Sequence, residues 1–143
     1  MNMPRQPIGY WLKHLDRLID RAFEQSLGAS NLSRRHWQVL NTLIERPVAV
    51  RGLAETLAPF IGGDTSALQP IIEDLRARQW IRTLEDGCLA VSDGGRSAHA
   101  TIMMRVAETR NLLRRGITDA EYLSVVTLLA RMASNLEGAE TEP

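Results

Sequence analysis

The pair Asp86-Gly87, set between Trp80 to Leu84 and Cys88 to Val91, constrains this chain more than any other feature. Asp-Gly between two short runs of strand formers is the strongest short-range signal of a β-hairpin, because both residues tolerate the backbone of a tight turn. Everywhere else the apolar residues recur at three- and four-residue spacing, which is the period of a half-buried helix. The expected order is therefore four helices, one hairpin, and two more helices.

Local signals place the helices. Pro7 can open the first, since its missing N–H would be unpaired there anyway. Ile8, Trp11, Leu12, Leu15, Leu18, Ile19, Ala22 and Phe23 then form an apolar stripe that ends near Gly28. Ser33 can cap a second helix, with Trp37, Leu40, Leu43 and Ile44 inward before Pro47. The third is expected from Val50 to Ala58, closed by Pro59. After Gly62-Gly63 comes DTSALQPIIEDLRARQW, expected as a fourth helix over 64–79 capped by Asp64 or Ser66, with Pro70 near its start. Ser92 can cap a fifth helix running to about Arg115. Thr118-Asp119-Ala120-Glu121 is a capping box that opens the sixth. That last helix is apolar over more than half its circumference, through Tyr122, Leu123, Val125, Val126, Leu128, Leu129 and Met132.

Composition narrows the function classes. The chain has 143 residues, enough for one domain with a real core, and 17 basic residues balance 17 acidic ones. Net charge therefore argues for neither nucleic acid nor membrane, and any basic footprint must be local. The longest apolar run, LSVVTLLA, is too short to span a bilayer, and MNMPRQPIGYW lacks the apolar core and cleavage site of a signal peptide. A single cysteine, Cys88, excludes an internal disulfide, and a cytoplasmic location is expected. Three scattered histidines without a second ligand at helical spacing give no metal site, and no cofactor is expected. No nucleophile–base pair, phosphate loop or carboxylate dyad stands at a recognisable spacing, so an enzyme is not expected.

Three stretches in this order, LSRRHWQVLNTL, then LAETL followed by DTSALQPIIEDLRARQWI, then the hairpin ending in VSDGGR, resemble the winged-helix regulators of the MarR type (multiple antibiotic resistance regulator family). The resemblance covers roughly residues 8 to 137. It implies a mainly α fold with a small β-hairpin wing, in which a winged helix-turn-helix lobe (33–92) is flanked by long N- and C-terminal dimerisation helices (5–28 and 93–137). A disordered tail (138–143) is expected to follow. It also implies a homodimer that reads a palindromic operator in double-stranded DNA, and a pocket for a small aromatic or amphipathic effector.

In a helix-turn-helix the first turn of the second helix meets base edges. Here Gln69 can bond adenine, Thr65 and Ser66 can bond bases or phosphates, and Ala67 can pack on a thymine methyl. Capping is the competing role for both hydroxyls. Arg51 and Arg82 are candidates for phosphate contacts, and Arg76 is either a third or a surface ion-pair partner. Tyr10, Trp11 and His14 on the first helix, with His36 and Trp37 on the second, would flank the effector pocket. For Trp37 a core position is the simpler reading.

The pattern D-x-x-x-L-x-P resembles the family's hydroperoxide-sensing branch, but Gly9, Tyr10 and Trp11 stand where that branch carries its reactive cysteine. The wing tip, Glu85-Asp86-Gly87, lacks the arginine most family members place there. Residues 47–96 hold five basic side chains against seven acidic, a net of −2, whereas residues 1–46 hold seven against four, a net of +3. A second reading therefore stands beside the regulator: a winged-helix dimer with weak or lost DNA binding that acts as a small-molecule or protein-binding module.

Overall fold

Pro70 decides where the fourth helix begins. A computed structural model describes residues 5–62 and 64–141; the side chain of Thr65 lies outside the description. Its elements are α1 (Ile8–Leu27), α2 (Arg34–Glu45), α3 (Val50–Ile61), α4 (Gln69–Ala77), β1 (Ile81–Thr83), β2 (Leu89–Val91), α5 (Asp93–Leu113) and α6 (Asp119–Thr141), with 3-10 turns at Gly28–Ser30 and Thr65–Ala67. The fold is a winged helix-turn-helix, mainly helical as expected.

Several boundaries differ from the sequence reading. The segment expected to read DNA is a 3-10 turn followed by α4, rather than one helix from Asp64, and Pro70 sits in the first turn of α4. A proline there lacks the N–H that would bond back to Ser66, so an α-helix begun at Asp64 would lose a rung that a fresh start at Gln69 never needs. Conversely, Pro59 does not close α3, which runs on to Ile61 and ends at Gly62 with φ of 64°. Proline's φ is already helical, and in a last turn only one hydrogen bond is lost. Pro7 precedes α1 rather than opening it. The last helix extends to Thr141, over four residues of the tail expected to be disordered.

The chain divides into two units, one reaching Thr109 and the other beginning at Arg110. The first unit holds the core. Leu40, Leu43, Leu53, Leu68, Ile72, Leu75 and Leu89 are all but inaccessible, and Phe23, Leu27, Ile102 and Val106 bring α1 and α5 against them. The wing is tied into this core. Antiparallel pairs join Ile81 to Val91 and Thr83 to Leu89, and Val48 exchanges both backbone hydrogen bonds with Leu89. β2 is thus central, and all three of its residues are buried. The turn is a three-residue loop, Glu85 to Gly87, because Leu84 N–H already bonds Cys88 C=O; Gly87 takes φ of 87°, which only glycine adopts without strain.

One glycine holds the wing base to α5. A Cβ on Gly95 would lie 2.0 Å from the Trp80 carbonyl oxygen and 2.6 Å from Val91 Cγ2. Ser92 begins the helix as expected, its hydroxyl accepting the Gly95 N–H and donating to Gln79 C=O.

In the second unit Thr118 and Glu121 close the expected capping box, with backbone-to-side-chain bonds of 3.0 and 3.1 Å. Arg114 pairs with Asp119 and lies over the Tyr122 ring. No residue of α6 is buried.

Candidate nucleic-acid interface

The outer face of α4 follows from its inner one. Leu68, Ile72 and Leu75 point into the core, so Gln69, Glu73 and Arg76, at helical spacing, stand exposed on the opposite stripe. Gln69 donates its amide to Glu73 at 3.1 Å, which fixes the carboxamide and takes one of the two N–H groups it could offer an adenine N7. Arg76 reaches Thr83 on β1 at 3.1 Å rather than pairing with Glu73. It therefore links the helix to the wing.

Just before α4, Asp64 accepts both the backbone N–H of Ser66, at 3.0 Å, and its hydroxyl, at 2.6 Å. These two bonds, the hydroxyl one foremost, hold the Asp64 carboxyl below its ordinary pKa. Asp64 thus caps the 3-10 turn. The Ser66 hydroxyl keeps its acceptor side, and Ala67 is exposed beside it. Arg51 is 92% exposed, loosely paired with Glu55 at 3.7 Å. Arg82 is exposed on β1 opposite Ala90. The expected wing-tip acids, Glu85 and Asp86, are exposed as well, and Asp86 is tied to the Cys88 N–H. Burial and the adjacent Asp86 carboxylate push the Cys88 thiol up in pKa, so it is a poor nucleophile.

What holds α4 at its angle is a network that sequence reasoning missed. His36 Nε2 meets Asp74 Oδ2 at 2.8 Å, and Arg78 Nε donates to the same oxygen at 2.9 Å. Arg78 also donates to Ser30 C=O at 2.9 Å and lies over the Trp80 ring. His36 Nδ1 accepts the Ser33 N–H at 3.0 Å, so the neutral ring must carry its proton on Nε2 and donate it to Asp74. Burial pulls the His36 pKa below its ordinary 6.5, against the opposing pull of Asp74. For Asp74, burial pushes upward, but the bonds from Arg78 and His36 outweigh it and the net shift is downward. The local traces of this network were the Asp74/Arg78 spacing of four and the Ser33/His36 spacing of three; His36 and Asp74 lie 38 residues apart.

The five residues expected around an effector fall into three places. Tyr10 stacks on His14 and meets Trp11 edge to face, all within one stretch of α1, with Tyr10 and Trp11 each 43% exposed. His36 is buried in the network just described. Trp37 is buried and stacks on His99 at 4.8 Å between ring centres, while His99 bonds Asn41 at 3.2 Å. Among the described residues no ring pair joins the α1 group to the other two. Nor does any cluster of three metal-ligating side chains occur among them, and no helix is long and apolar enough to cross a membrane.

No protein-family model and no curated protein matches the chain. Solved structures do. A transcriptional regulator designated PA3341 superposes with a TM-score of 0.77 at 24% identity, covering 92% of this chain and 99% of that one. BpsR of Bordetella bronchiseptica, whose DNA binding is regulated by 6-hydroxynicotinic acid, gives 0.76 at 19% identity, covering 92% and 98%. The reduced form of MarR from E. coli gives 0.72 at 17% identity, covering 90% and 95%. The chain thus has the MarR fold over nearly its whole length.

Proposed function

We propose that this chain is a cytoplasmic, homodimeric, sequence-specific DNA-binding transcriptional regulator, a repressor relieved by a small ligand, that reads a palindromic operator with the segment 64–79. The observation that carries this reading is the outward stripe at the start of α4. Gln69 and Ala67 face solvent there, while buried Leu68, Ile72 and the His36–Asp74 bond beneath fix their orientation. Gln69 would address adenine, Ala67 a thymine methyl, and Thr65 and Ser66 a base or phosphate. Arg51 and Arg82 would meet phosphates, with Arg76 as a more distant contributor through its position beside Thr83. Residues 33–92 would be the reading lobe. Residues 5–28 and 93–137 would form the dimer, which gives the exposed apolar side chains of α1 and α6 somewhere to go. An effector would first meet Tyr10, Trp11 and His14; His36 and Trp37 would respond from beneath.

Selecting bound duplexes from a random library tests this directly. An enriched palindrome is expected. Gln69→Ala should then weaken it about tenfold, the scale of one lost bidentate base contact. Arg51→Ala should weaken all sequences alike and flatten the salt dependence by about one unit of slope. No enriched sequence at low salt would sink the reading. It would favour the second one, a ligand- or protein-binding winged-helix dimer, for which the net −2 of residues 47–96 and the Glu73 grip on Gln69 already speak.

A further inference from the structure

Gln69 and Glu73 stand one turn apart on the exposed stripe of α4, joined by the 3.1 Å bond from Gln69 Nε2 to Glu73 Oε1. A glutamine left free is an ambiguous reader. Its carboxamide can meet an adenine edge with its C=O and one N–H, or turn and offer both N–H groups to the N7 and O6 acceptors of guanine. Which base it prefers depends on what holds it.

Glu73 can hold it in one way only. A carboxylate accepts and never donates, so it takes a Gln69 N–H and cannot face the Gln69 carbonyl. The flip of the carboxamide is thereby fixed, and what stays available is the C=O beside one N–H. Adenine N6 and N7 take that pair, whereas guanine would set its O6 against the Gln69 oxygen, acceptor against acceptor. The neighbours leave Glu73 to this task. Arg76, three residues on, donates to Thr83 Oγ1 at 3.1 Å, and no ion pair engages Glu73 among the described residues. No lysine or arginine lies between Asp64 and Asp74, so this stretch has no cation to read a guanine in place of Gln69.

We infer that Glu73 is a specificity-determining residue: by holding the Gln69 carboxamide in one flip it makes Gln69 accept adenine and reject guanine. The inference rests on the regulator reading above and sharpens it, since the base pair that Gln69 meets is then A·T. Glu73 acts through Gln69 and is a positioning residue. The carboxylate that lowers affinity by facing phosphates adds discrimination in exchange.

The test begins with the selected duplex and finds the base pair at which Gln69→Ala loses its preference. Dissociation constants of the full chain are then measured at fixed salt for duplexes carrying A·T or G·C at that pair in one half-site. The wild type should favour A·T by at least about tenfold. Glu73→Ala should bind both duplexes more tightly, the G·C duplex most, and bring the ratio within about threefold. Glu73→Gln keeps the length but can donate as well as accept, so the two amides can turn together and the ratio should collapse again. In a Gln69→Ala background Glu73→Ala should leave the ratio unchanged. A ratio that survives either Glu73 substitution, a change in the Gln69→Ala background, or a wild-type preference for G·C overturns the inference. Without DNA, the Gln69 side-chain amide protons in a 15N-resolved spectrum should shift between wild type and Glu73→Ala; unchanged positions overturn the hold itself. A selected duplex at which Gln69→Ala alters no base preference overturns the inference and leaves the regulator reading standing. Absence of any selected duplex overturns the regulator reading and the adenine preference together, while the spectrum still reports the hold.

Discussion

The winged-helix lobe and α6 have similar proportions of apolar residues and treat them in opposite ways. In the lobe, Leu40, Leu53, Leu75 and Leu89 are shut away, and no buried side-chain nitrogen or oxygen among the described residues lacks a partner. On α6, Leu123, Val125, Val126, Leu128 and Leu136 all stay exposed, although they are as apolar as anything in the core. The lobe closes on itself because helices of different direction surround a central strand. A single helix has no inner face to close on and needs another surface. The difference sets stability in the lobe and, in the proposed dimer, leaves association to α6, so that each can be disturbed without the other.

The largest effect should come from Gly95→Ala. The new methyl meets backbone, the Trp80 carbonyl, which cannot swing aside as a flexible side chain would. A loss of about 3 kcal/mol or more is expected, read as a lower urea midpoint or outright failure to fold. An unchanged midpoint would mean that the wing base is not packed as described. Next in size, the pair Val125→Asp and Leu128→Asp should weaken self-association by about a hundredfold or more, because charges at the middle of an interface must be desolvated unpaired. Sedimentation velocity at micromolar concentration would show a monomer. The near-ultraviolet signal of Trp37 stacked on His99 should persist, and its loss would erase the distinction between the two regions.

A smaller effect separates them by pH. Burial depresses the pKa of His36 and His99, so below their ordinary value of 6.5 the unfolded chain takes up protons that the lobe resists. Stability should therefore be full above about pH 6.5 and fall as the pH drops below it. Protonated His36 would also turn an N–H toward the Ser33 N–H that Nδ1 now accepts. Melting temperatures at pH 7.5 and 5.5 should differ in the wild type and converge in a His36→Asn, His99→Asn double variant; a wild type insensitive to pH over this range would contradict the buried, neutral rings. The smallest effect belongs to the lobe surface. Glu73→Ala removes a carboxylate and frees the Gln69 amide, and duplex affinity should rise about three- to tenfold in a binding assay at fixed salt. A fall instead would mean that Glu73 itself reads a base, as a carboxylate can at cytosine.

Most of the architecture is legible in the sequence. The capping box at Thr118 and Glu121, the Ser33 and Ser92 starts, and the hairpin about Asp86-Gly87 all stand where the residues place them. Three of the boundaries that slipped did so at prolines: Pro70 delayed a helix that apolar spacing started too early, Pro59 was carried through a last turn instead of ending it, and Pro7 stands just before α1; the fourth is the run of α6 to Thr141. The candidate interface was legible only as a list of residues. Nothing near Gln69 indicated which neighbour would take its amide, and Arg76 had Glu73 within reach yet went to Thr83.

The division has one physical reason. Helix period, caps and tight turns depend on interactions between residues at most four or five positions apart, so the sequence by itself determined the element types, their order and the excess of apolar helix surface. Pairings across helices depend on crossing angles and strand registers that many side chains settle together. Only the tertiary structure could therefore bring His36 to Asp74, stack Trp37 on His99, and turn Arg76 from Glu73 to Thr83.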